Sequence, residues 1–414
     1  MQLMITKVNH CRICRSKNLT PFLDLGPMPL PNGFLQASQI NQPEPTYPLT
    51  VGICSDCNLV QLVNVVDPEV MFRNYAYIPS TSQTRLDNFR HIVTQALKFF
   101  PPPKNALAID IGSNDGSLLL EFRNQGLNTL GVDPAENLAK IAQLKGINTL
   151  NTYFTTKLAR KIKRHQGPAT YITATNVVAH INDLGDFFSA IRTLLHPQGI
   201  FICEFPYLVD LLQKKLFDTI YQEHLSYFAV QPLLHIIAKN KLKIINIRRT
   251  PIDGGALRLT LSQAESSRPE DSNYLKKLIQ LEQKLKLHKL APYRRLSREV
   301  NKLRRHIRQT LAKLKTSGKS IAGYGAAARG NILINYSGIG KYLDFIVDST
   351  PYKQGLYTPG SHIHIFSEAE ILKRQPDYVL ILAWNFAEEI IKKQNQYRRR
   401  GGKFIIPVPD VKII

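Results

Sequence analysis

The sequence has little acidic charge and no long apolar run. Only 31 of its 414 residues are Asp or Glu, against 54 Lys and Arg, which gives a formal net charge of +23. No apolar stretch approaches the roughly 18 residues that a transmembrane helix needs, and residues 1–10 lack the apolar segment of a secretory signal. We therefore expect a cytoplasmic protein without a membrane span. The apolar fraction of 43% excludes wholesale disorder, and the length suggests about two to four domains.

The excess of positive charge favours acidic partners, such as nucleic acid, an anionic membrane surface or a phosphorylated small molecule. Residues 284–319 hold thirteen Lys and Arg and one acidic residue, Glu299. Apolar residues recur in this segment at spacings of three and four, which predicts a basic amphipathic helix over about residues 275–316. Such a helix typically packs on the protein body, and a nucleic-acid or membrane arm is the alternative.

Cysteine is scarce, but four of the five cysteines form two C-x2-C pairs, Cys11 with Cys14 and Cys54 with Cys57. Each pair suits a tight turn that directs two thiolates at one tetrahedral zinc ion. Disulfides are disfavoured in a reducing cytoplasm, and a redox site needs only one such pair. We therefore predict a structural zinc ion with four protein ligands. Cys203 lies in an apolar run and is assigned to a buried strand.

The chain divides into three segments by its pattern of apolar runs and turns. Residues 1–70 are rich in Pro and Gly and contain both cysteine pairs, which indicates a small zinc-binding module. Strand and helix patterns then alternate through residues 71–248, and a second alternating series lies within residues 249–414. The predicted fold class is therefore α/β, with the zinc module followed by a doubly wound Rossmann-like sheet and a second, C-terminal Rossmann-like domain.

The clearest ligand-binding signal follows the first predicted strand of the second segment. Asp110 lies on that strand, Gly112 allows a ligand to approach the backbone, and Gly116 opens the next helix. Asp133 ends the following strand, where a carboxylate can accept hydrogen bonds from both ribose hydroxyls of an adenosine ligand. Dinucleotides and S-adenosylmethionine both fit this pattern. A glycine turn that only shapes the fold is the alternative.

The charge of this turn distinguishes between a dinucleotide and S-adenosylmethionine as its ligand. An Asn114-Asp115 pair follows Gly112, so the turn has less glycine and more negative charge than a pyrophosphate site needs. Such a turn repels a dinucleotide but can hold the cationic methionine portion of S-adenosylmethionine. The sequence therefore favours the methyl donor.

Two further segments carry candidate groups. Histidine is the commonest general base, and in residues 221–224 His224 has a carboxylate and a phenol nearby that can hold its tautomer. His180 follows a predicted strand, at the end where α/β sheets bind ligands. A buried polar loop and a structural histidine are the alternatives. Residues 322–331 form a small-residue loop with one cation, Arg329, which suits a phosphate group or a packing loop equally.

With these segments in order, the chain resembles the S-adenosylmethionine-dependent C-methyltransferases that act on nucleotide-linked 4-keto-deoxysugars. The order of three different modules carries the resemblance, which spans nearly the whole chain. The matching segments are the paired C-x2-C module, residues 75–77 with the serine and threonine run after them, and residues 110–116, 131–134, 176–180, 204–207 with 221–224, 254–258 and 323–331.

The resemblance implies methyl transfer to a carbon beside the ketone, C3 by expectation, of a thymidine-linked sugar nucleotide. His224 corresponds to the family's proposed general base. The other implied catalytic residues are Glu223, Tyr221, Tyr75 and His180. The implied cofactor-binding residues are Asp110, Gly112, Asn114, Gly116, Asp133 and Asn176. The implied substrate-binding residues, at the junction of the second and third segments, are Tyr77, Ser82, Arg85, Gly325, Arg329 and Asn331.

The chemistry agrees with that implication, because a ketone acidifies the neighbouring C–H group. A base removes the proton, and the enolate then attacks the sulfonium methyl group. Two other function classes stay open from the sequence: an RNA-directed methyltransferase that uses the basic helix, and a non-catalytic zinc scaffold. The basic helix lacks the interleaved aromatic residues of an RNA-binding surface, and the glycine turn with Asp133 disfavours a scaffold. We expect neither nucleic acid nor membrane as a partner.

Overall fold

The structure is a computed structural model that describes residues 5–414. In this part of the chain the strands form four β-sheets, with two, four, seven and six strands. Helices cover the two larger sheets, so the predicted α/β class is confirmed. Among the described residues, no helix combines the length and the apolar character that a membrane span requires.

The N-terminal segment forms small antiparallel sheets. Strands β2, β3 and β4 are adjacent in the four-stranded sheet, whose fourth strand, Ser226–Tyr227, comes from much later in the chain. Strands β1 and β5 form a separate antiparallel pair. The elements are β1 (Ile5–Lys7), β2 (Leu19–Met28), β3 (Tyr47–Cys54), β4 (Val60–Leu62), β5 (Asn64–Val66) and helix α1 (Pro68–Phe72).

The first half of the central domain is a parallel sheet with helices around it. Ser82 caps helix α2, and the helix ends just before three consecutive prolines, which lack the N–H groups that would continue it. Strand β6 is buried at every residue, as expected for a parallel strand covered on both faces. The elements are α2 (Gln83–Phe99), β6 (Leu107–Ile111), α3 (Ser117–Asn124), β7 (Asn128–Val132), α4 (Glu136–Leu144), β8 (Thr149–Leu150), α5 (Thr156–Gln166), β9 (Ala169–Thr175) and α6 (Leu184–Leu194).

Antiparallel strands complete this sheet at one edge. The remaining elements are β10 (Leu195–Pro206), α7 (Leu208–Lys214), β11 (Ser226–Tyr227), α8 (Val230–Lys239), β12 (Leu242–Thr250) and β13 (Ala256–Gln263). The strand order is β12-β13-β10-β9-β6-β7-β8, so the sequence of connections reverses between β6 and β9. Cys203 is buried in β10, as predicted.

The boundary drawn at residues 248/249 does not coincide with an edge of this sheet. It falls inside β12, and β13, which follows it, pairs antiparallel with both β12 and β10. Leu257, Leu259 and Leu261 of β13 are almost fully buried. The alternation of Leu with polar residues over 256–261 indicates a strand, but its pairing with β10, which lies far earlier in the chain, follows from no local pattern.

The C-terminal domain contains the second Rossmann-like sheet, with the order β16-β15-β14-β17-β18-β19. Its strands are parallel except for the last one. The elements are α9 (Ser272–Lys284), α10 (Ala291–Thr316), β14 (Ile321–Tyr324), α11 (Ala328–Ser337), β15 (Phe345–Val347), β16 (Ile365–Phe366), α12 (Ala369–Arg374), β17 (Tyr378–Ile381), α13 (Ala387–Lys393), α14 (Asn395–Arg399), β18 (Lys403–Ile406) and β19 (Lys412–Ile413).

The basic segment forms two helices, so the prediction of one helix over residues 275–316 was wrong. A turn separates α9 from α10, and Lys286 in that turn has a positive φ of 56°. The apolar spacing continues through the turn, which is why the sequence pattern does not reveal it. The apolar face of α10 is buried and contacts β2 and α11, as expected for an amphipathic helix on the protein body.

Candidate active site

Four cysteines cluster in the N-terminal module. Their Sγ atoms all lie within 4.8 Å of one another, with 3.4 Å between Cys11 and Cys57 and 3.5 Å between Cys14 and Cys54. These separations are far longer than a disulfide bond of about 2.0 Å, and they fit four thiolates around a zinc ion with Zn–S bonds of about 2.3 Å. The residues therefore fit a structural zinc ion, whose four protein ligands would leave no open position for catalysis.

The two cysteine turns are built alike. Arg15 and Asn58, which directly follow the pairs, have positive φ angles of 66° and 65°. Their N–H groups donate to the carbonyl oxygens of Cys11 and Cys54, at 3.0 and 2.9 Å. Because both turns have the same hydrogen bond and the same left-handed residue, each presents its two Sγ atoms on one side. This repeated geometry is what brings the two pairs to one point.

A cleft of about 350 Å³ lies where the parallel strands of the central sheet end. This is the edge at which α/β sheets bind ligands. Of the residues predicted from the sequence, those on its lining are Tyr75, Tyr77, Arg85, Asp110, Gly112, Asn114, Asp133, Asn176, His180, Tyr221, His224 and Arg329. In the part of the chain that the structure describes, the predicted catalytic, cofactor-binding and substrate-binding residues outside the lining are Ser82, Gly116, Glu223, Gly325 and Asn331.

The glycine turn after β6 is fixed by backbone conformation and by Asp133. Gly112 has a φ of 66°, and a Cβ atom there would lie 2.3 Å from Cγ2 of Val177, so a larger residue does not fit. The N–H of Asn114 donates to Oδ2 of Asp133 at 2.7 Å, and the N–H of Ala135 donates to Oδ1 at 2.8 Å. The Asp133 carboxylate keeps further lone pairs for a ligand. The turn is therefore held in place before any ligand binds.

The negative charge of this turn is smaller than the sequence suggests. Burial raises the pKa of Asp110 to about 7, although Thr173 donates a 2.6 Å hydrogen bond to its carboxylate. Asp115 is fully buried and pairs with Nζ of Lys145 at 2.7 Å. The discrimination against a pyrophosphate that was expected from Asp110 and Asp115 is therefore reduced, and it rests mainly on the scarcity of glycine.

His224 is held as a neutral base. Its Nδ1 lies 2.7 Å from the carbonyl oxygen of Thr219. A carbonyl oxygen only accepts, so Nδ1 carries the proton and Nε2 is the basic nitrogen. Burial lowers the pKa of His224 to about 4, and the neighbouring Arg329 adds to the lowering. The Tyr221 ring packs against the imidazole, with 4.1 Å between the ring centroids.

Glu223 lies behind the cleft and reaches it through Tyr75. The Tyr75 hydroxyl donates to Oε2 of Glu223 at 2.7 Å, and Nδ2 of Asn32 donates to Oε1 at 2.7 Å. Burial raises the pKa of Glu223 to about 7. The carboxylate therefore fixes the Tyr75 hydroxyl on the cleft wall. Asn32 comes from the N-terminal module, and no sequence pattern identifies it.

His180 stacks between the ring of Phe72 and the imidazole of His224. The centroid distances are 5.5 Å to Phe72 and 5.1 Å to His224. Its Nε2 is buried and has no hydrogen-bond partner among residues 5–414. Burial and the neighbouring His224 lower the pKa of His180, so this imidazole is also neutral near pH 7.

Asp253 connects three parts of the cleft wall, and the sequence analysis missed it. Its carboxylate accepts from Nη2 of Arg85 at 2.6 Å and from Nδ2 of Asn176 at 2.9 Å. Nη1 of Arg329 donates to its backbone carbonyl at 2.9 Å. Burial alone would raise the pKa of Asp253, but Arg85, Asn176 and Arg329 together outweigh burial and the pKa is lowered. The available signal was its position directly before the Gly254-Gly255 pair.

Arg329 is not free for a phosphate group, contrary to the expectation. Its Nε and Nη2 donate to Asp218 at 2.9 and 3.2 Å, and its guanidinium lies 4.5 Å from the ring centroid of Trp384. Gly325 has a φ of 95°, and a Cβ atom there would lie 2.6 Å from that of Ala383. This glycine therefore serves the packing of the loop.

Ser82 and Asn331 have structural contacts. The Ser82 hydroxyl caps α2 by accepting from the N–H of Arg85 at 3.4 Å. Nδ2 of Asn331 donates to the carbonyl of Pro31 at 2.7 Å, which joins α11 to the N-terminal module. Both residues therefore stabilise the elements that form the cleft, and they do so outside its lining.

Lys353 is a second cleft residue that the sequence analysis missed. It is buried and lines the cleft, with Nζ donating to the carbonyl of Ala326 at 2.9 Å and lying 3.5 Å from Asp348. The start of α11, at Ala328, has no side-chain cap and lines the same region. Lys353 lies in a loop without a recognisable motif, so only its burial in the cleft reveals it.

The chain matches known protein families along most of its length. A proposed zinc binding domain matches residues 11–72, a methyltransferase domain matches residues 84–247, and a C-methyltransferase C-terminal domain matches residues 251–409. The C-methyltransferase NovU of Streptomyces niveus is 31% identical over 415 residues, which cover 100% of this chain and 99% of that protein.

Solved methyltransferase structures resemble part of the chain. Magnesium protoporphyrin IX methyltransferase of Synechocystis PCC 6803 is 15% identical, with a TM-score of 0.34 over 46% of this chain and 86% of that one. A methyltransferase of Clostridium acetobutylicum is 12% identical, with a TM-score of 0.36 over 43% of this chain and 92% of that one. These similarities are too low to assign a function. The full-length sequence match decides the family: the chain belongs to the S-adenosylmethionine-dependent C-methyltransferases.

Proposed function

We propose that this C-methyltransferase methylates C3 of a nucleotide-diphosphate 4-keto-deoxysugar, thymidine-linked by expectation, and that His224 is the general base. The observation that carries this proposal is the tautomer of His224, whose Nδ1 donates to Thr219 and leaves Nε2 basic in the cleft that also contains Gly112. We also propose a cytoplasmic location, since the five cysteines form no disulfide within residues 5–414.

We propose that the methyl donor lies over the glycine turn. Gly112 lets the adenosine portion approach the backbone, and the remaining lone pairs of Asp133 accept from the ribose hydroxyls. When bound, S-adenosylmethionine supplies an electrophilic methyl group on a sulfonium. The chain's task is then to create a carbon nucleophile beside that methyl group.

The reaction starts with removal of the proton from the carbon next to the ketone. Nε2 of His224 takes this proton, and the hydrogen bond from Nδ1 to Thr219 stays in place because the imidazolium donates from both nitrogens. Tyr221 lines the cleft, and its hydroxyl is the donor we assign to the enolate oxygen, because the single proton of the Tyr75 hydroxyl is already donated to Glu223. The enolate carbon then forms the new C–C bond as the methyl–sulfur bond breaks.

Mass spectrometry in deuterated water tests this function. Incubation with S-adenosylmethionine and a thymidine-diphosphate 4-keto-6-deoxysugar should add one methyl group to the sugar. With S-adenosylhomocysteine in place of the donor, the sugar should exchange one carbon-bound hydrogen for deuterium. Methylation of an oxygen or of RNA, or methylation without any base-dependent exchange, would contradict the proposal.

The pH dependence of the exchange tests the state of His224. The base must be neutral to act, and its pKa is lowered to about 4 from an ordinary value of about 6.5. We therefore expect the exchange rate to change little as the pH falls from 6.5 to about 5, and to fall only below that. A rate that halves near pH 6.5 would show a solvent-exposed imidazole instead.

The lowered pKa of His224 also makes folding stability depend on pH, so the pH profile of the exchange rate needs a control for unfolding. Unfolded His224 binds a proton below about pH 6.5, whereas folded His224 stays neutral until about pH 4. Its contribution to stability is therefore complete above pH 6.5 and is lost as the pH falls toward 4. Circular dichroism at each pH should show that the protein remains folded over the range used.

We assign the uncapped start of α11 and the third N–H of Lys353, the one not directed at Ala326 or Asp348, to the diphosphate of the substrate. Lys353→Met should raise the KM for the sugar nucleotide roughly 10- to 100-fold, because a charge-assisted hydrogen bond is lost. The affinity for S-adenosylhomocysteine should stay unchanged. Lys341→Met, on an exposed lysine of the same domain, is the matched control. An unchanged KM in the Lys353 variant would contradict this assignment.

A further inference from the structure

Glu223 is a buried carboxylate that has no cationic partner. The residue is 2% exposed, and its hydrogen-bond partners among residues 5–414 include no Lys, Arg or His side chain. A buried carboxylate normally pairs with a cation or takes up a proton. Here two neutral groups stabilise the negative charge, the Tyr75 hydroxyl at Oε2 and the Asn32 amide at Oε1, both at 2.7 Å. The ionisation of Glu223 therefore depends on these two hydrogen bonds.

The backbone on both sides of Asn32 is fixed by the C-terminal domain. The carbonyl of Pro31 accepts a 2.7 Å hydrogen bond from a side chain of α11. The backbone of Leu35 exchanges two hydrogen bonds with that of Tyr357, at 3.0 and 2.8 Å. Between these contacts the Asn32 side chain lines the cleft, and its Nδ2 faces Glu223, because a carboxylate only accepts. Asn32 thus brings a donor from the zinc-binding module to the active site in a fixed position.

The charge of Glu223 decides the direction of its hydrogen bond with Tyr75. The ionised carboxylate accepts the single phenolic proton, so the Tyr75 oxygen presents only lone pairs to the cleft. When Glu223 is protonated, the proton lies on Oε2, because the Asn32 amide occupies Oε1. The carboxyl group then donates to the Tyr75 oxygen, and the phenolic proton is released toward the cleft. The same phenol is an acceptor for a ligand in one state and a donor in the other.

The balance between these two states lies near neutral pH. Burial raises the pKa of Glu223 to about 7, and the hydrogen bonds from Tyr75 and Asn32 oppose that rise. Burial and the Glu223 carboxylate raise the pKa of both Tyr75 and Tyr221, so the two phenols stay neutral. The adjacent His224 is also neutral near pH 7, because burial lowers its pKa. Only the carboxyl group of Glu223 therefore changes charge there.

We propose that Asn32 is a positioning residue for the substrate: its amide fixes Glu223 as the acceptor of the Tyr75 proton, so that the Tyr75 oxygen accepts from a hydroxyl group of the sugar. A sugar hydroxyl is a donor, whereas a ketone and a diphosphate only accept. Tyr75 thus recognises a hydroxyl, and the ketone is left to the donor on Tyr221. The inference rests on the proposed sugar substrate and extends the active site to the N-terminal module.

Infrared difference spectroscopy tests the first step without any substrate. The band of the protonated Glu223 carboxyl group, identified by its absence in Glu223→Gln, should appear in the wild type as the pH falls through about 7. Asn32→Leu should move the midpoint of this titration up by about 1 to 2 pH units, because a hydrogen bond to a charged group is lost. Asn41→Leu, at an exposed asparagine of the same module, should leave the midpoint in place. An unmoved midpoint in Asn32→Leu would overturn the proposal.

The KM for the sugar nucleotide tests the second step. In the wild type it should rise roughly 3- to 10-fold as the pH falls from about 8 to about 6, because the Tyr75 oxygen ceases to accept. In Asn32→Leu the same rise should occur at a higher pH, displaced as far as the infrared midpoint, with kcat within about twofold of the wild type. Tyr75→Phe should have the raised KM at every pH. A merely structural role of Asn32 would not move the pH at which KM changes.

Binding of 5′-methylthioadenosine, which contains the adenosine and the sulfur of the methyl donor, reports whether each variant is folded. If Asn32→Leu does not fold, the isosteric Asn32→Asp takes its place. Its two adjacent carboxylates retain a shared proton to higher pH, so the infrared midpoint should again move up. A KM profile that does not follow the infrared midpoint would contradict the proposal. Failure of the wild type to turn over the sugar nucleotide would count against the proposed function, while the infrared titration would still decide the role of Asn32.

Discussion

Replacing His224 by Asn should slow methyl transfer by a factor of about 100 to 10,000, the range that a positioned general base contributes. Asn retains a donor that can reach the Thr219 carbonyl, but its amide has no basic nitrogen. Hydrogen–deuterium exchange at the carbon beside the ketone should be lost to the same extent, because exchange needs the same proton transfer. Both rates are measurable by mass spectrometry on one reaction mixture.

Two controls separate a base from a structural residue. His224→Asn should bind S-adenosylhomocysteine like the wild type, because the Gly112 turn and Asp133 do not contact His224 directly. His235→Asn, on an exposed histidine of α8, should keep the full rate. If His180→Asn abolished exchange while His224→Asn kept it, the base would be His180, whose ring centroid lies 5.1 Å from that of His224.

Loss of the zinc ion should disable catalysis although the four cysteines lie outside the cleft lining. Three contacts join the N-terminal module to the loop of residues 221–224. Strand β4 pairs with β11 just after His224, Asn32 donates to Glu223, and Nε2 of Gln222 donates to the carbonyl of Met28 at 3.2 Å. Because the metal closes the turns from which β3 and β4 extend, its removal should release this loop.

Cys54→Ser is the variant that tests this coupling. We expect loss of bound zinc, a loss of stability on the order of 3 kcal/mol or more, and a corresponding fall of roughly 10 °C in the melting temperature. Methyl transfer should fall sharply, while 5′-methylthioadenosine still binds to the central sheet. Cys203→Ala, at the buried cysteine of β10, should retain its zinc. A zinc-free Cys54→Ser enzyme with the wild-type melting temperature and rate would contradict this coupling.

The sequence predicted those parts of the fold that depend only on residues close together in the chain. The spacing of the cysteines, the glycine turn before α3 and the run of prolines after α2 each specify a turn or a helix end through the conformations of neighbouring residues. The same reasoning failed at Lys286, where one left-handed residue divides the basic segment into two helices without a change in apolar spacing. A single φ angle has no signal in a hydrophobic pattern.

The pairing of charged side chains at the cleft depends on residues that are distant from one another in the sequence. Arg329 looked free for a phosphate, but Asp218 and Trp384 engage it. Lys353 lies in a segment without a motif, and only the Gly254-Gly255 pair after it marks Asp253. Both residues acquire their positions because these segments meet at the cleft. Their burial, and with it their partners, is set by the packing of three domains.

The sequence by itself predicted the cluster of four cysteines, the α/β class, the glycine turn and the family, because each depends on neighbouring residues or on their order along the chain. Only the tertiary structure decided which side chains lie together on one wall of the cleft. It places β11 in the zinc-binding sheet and leaves donors of Arg85 open beside Asn176. The physical reason is that hydrogen-bond satisfaction belongs to a folded environment, in which the partners of one side chain come from segments that are far apart in the sequence.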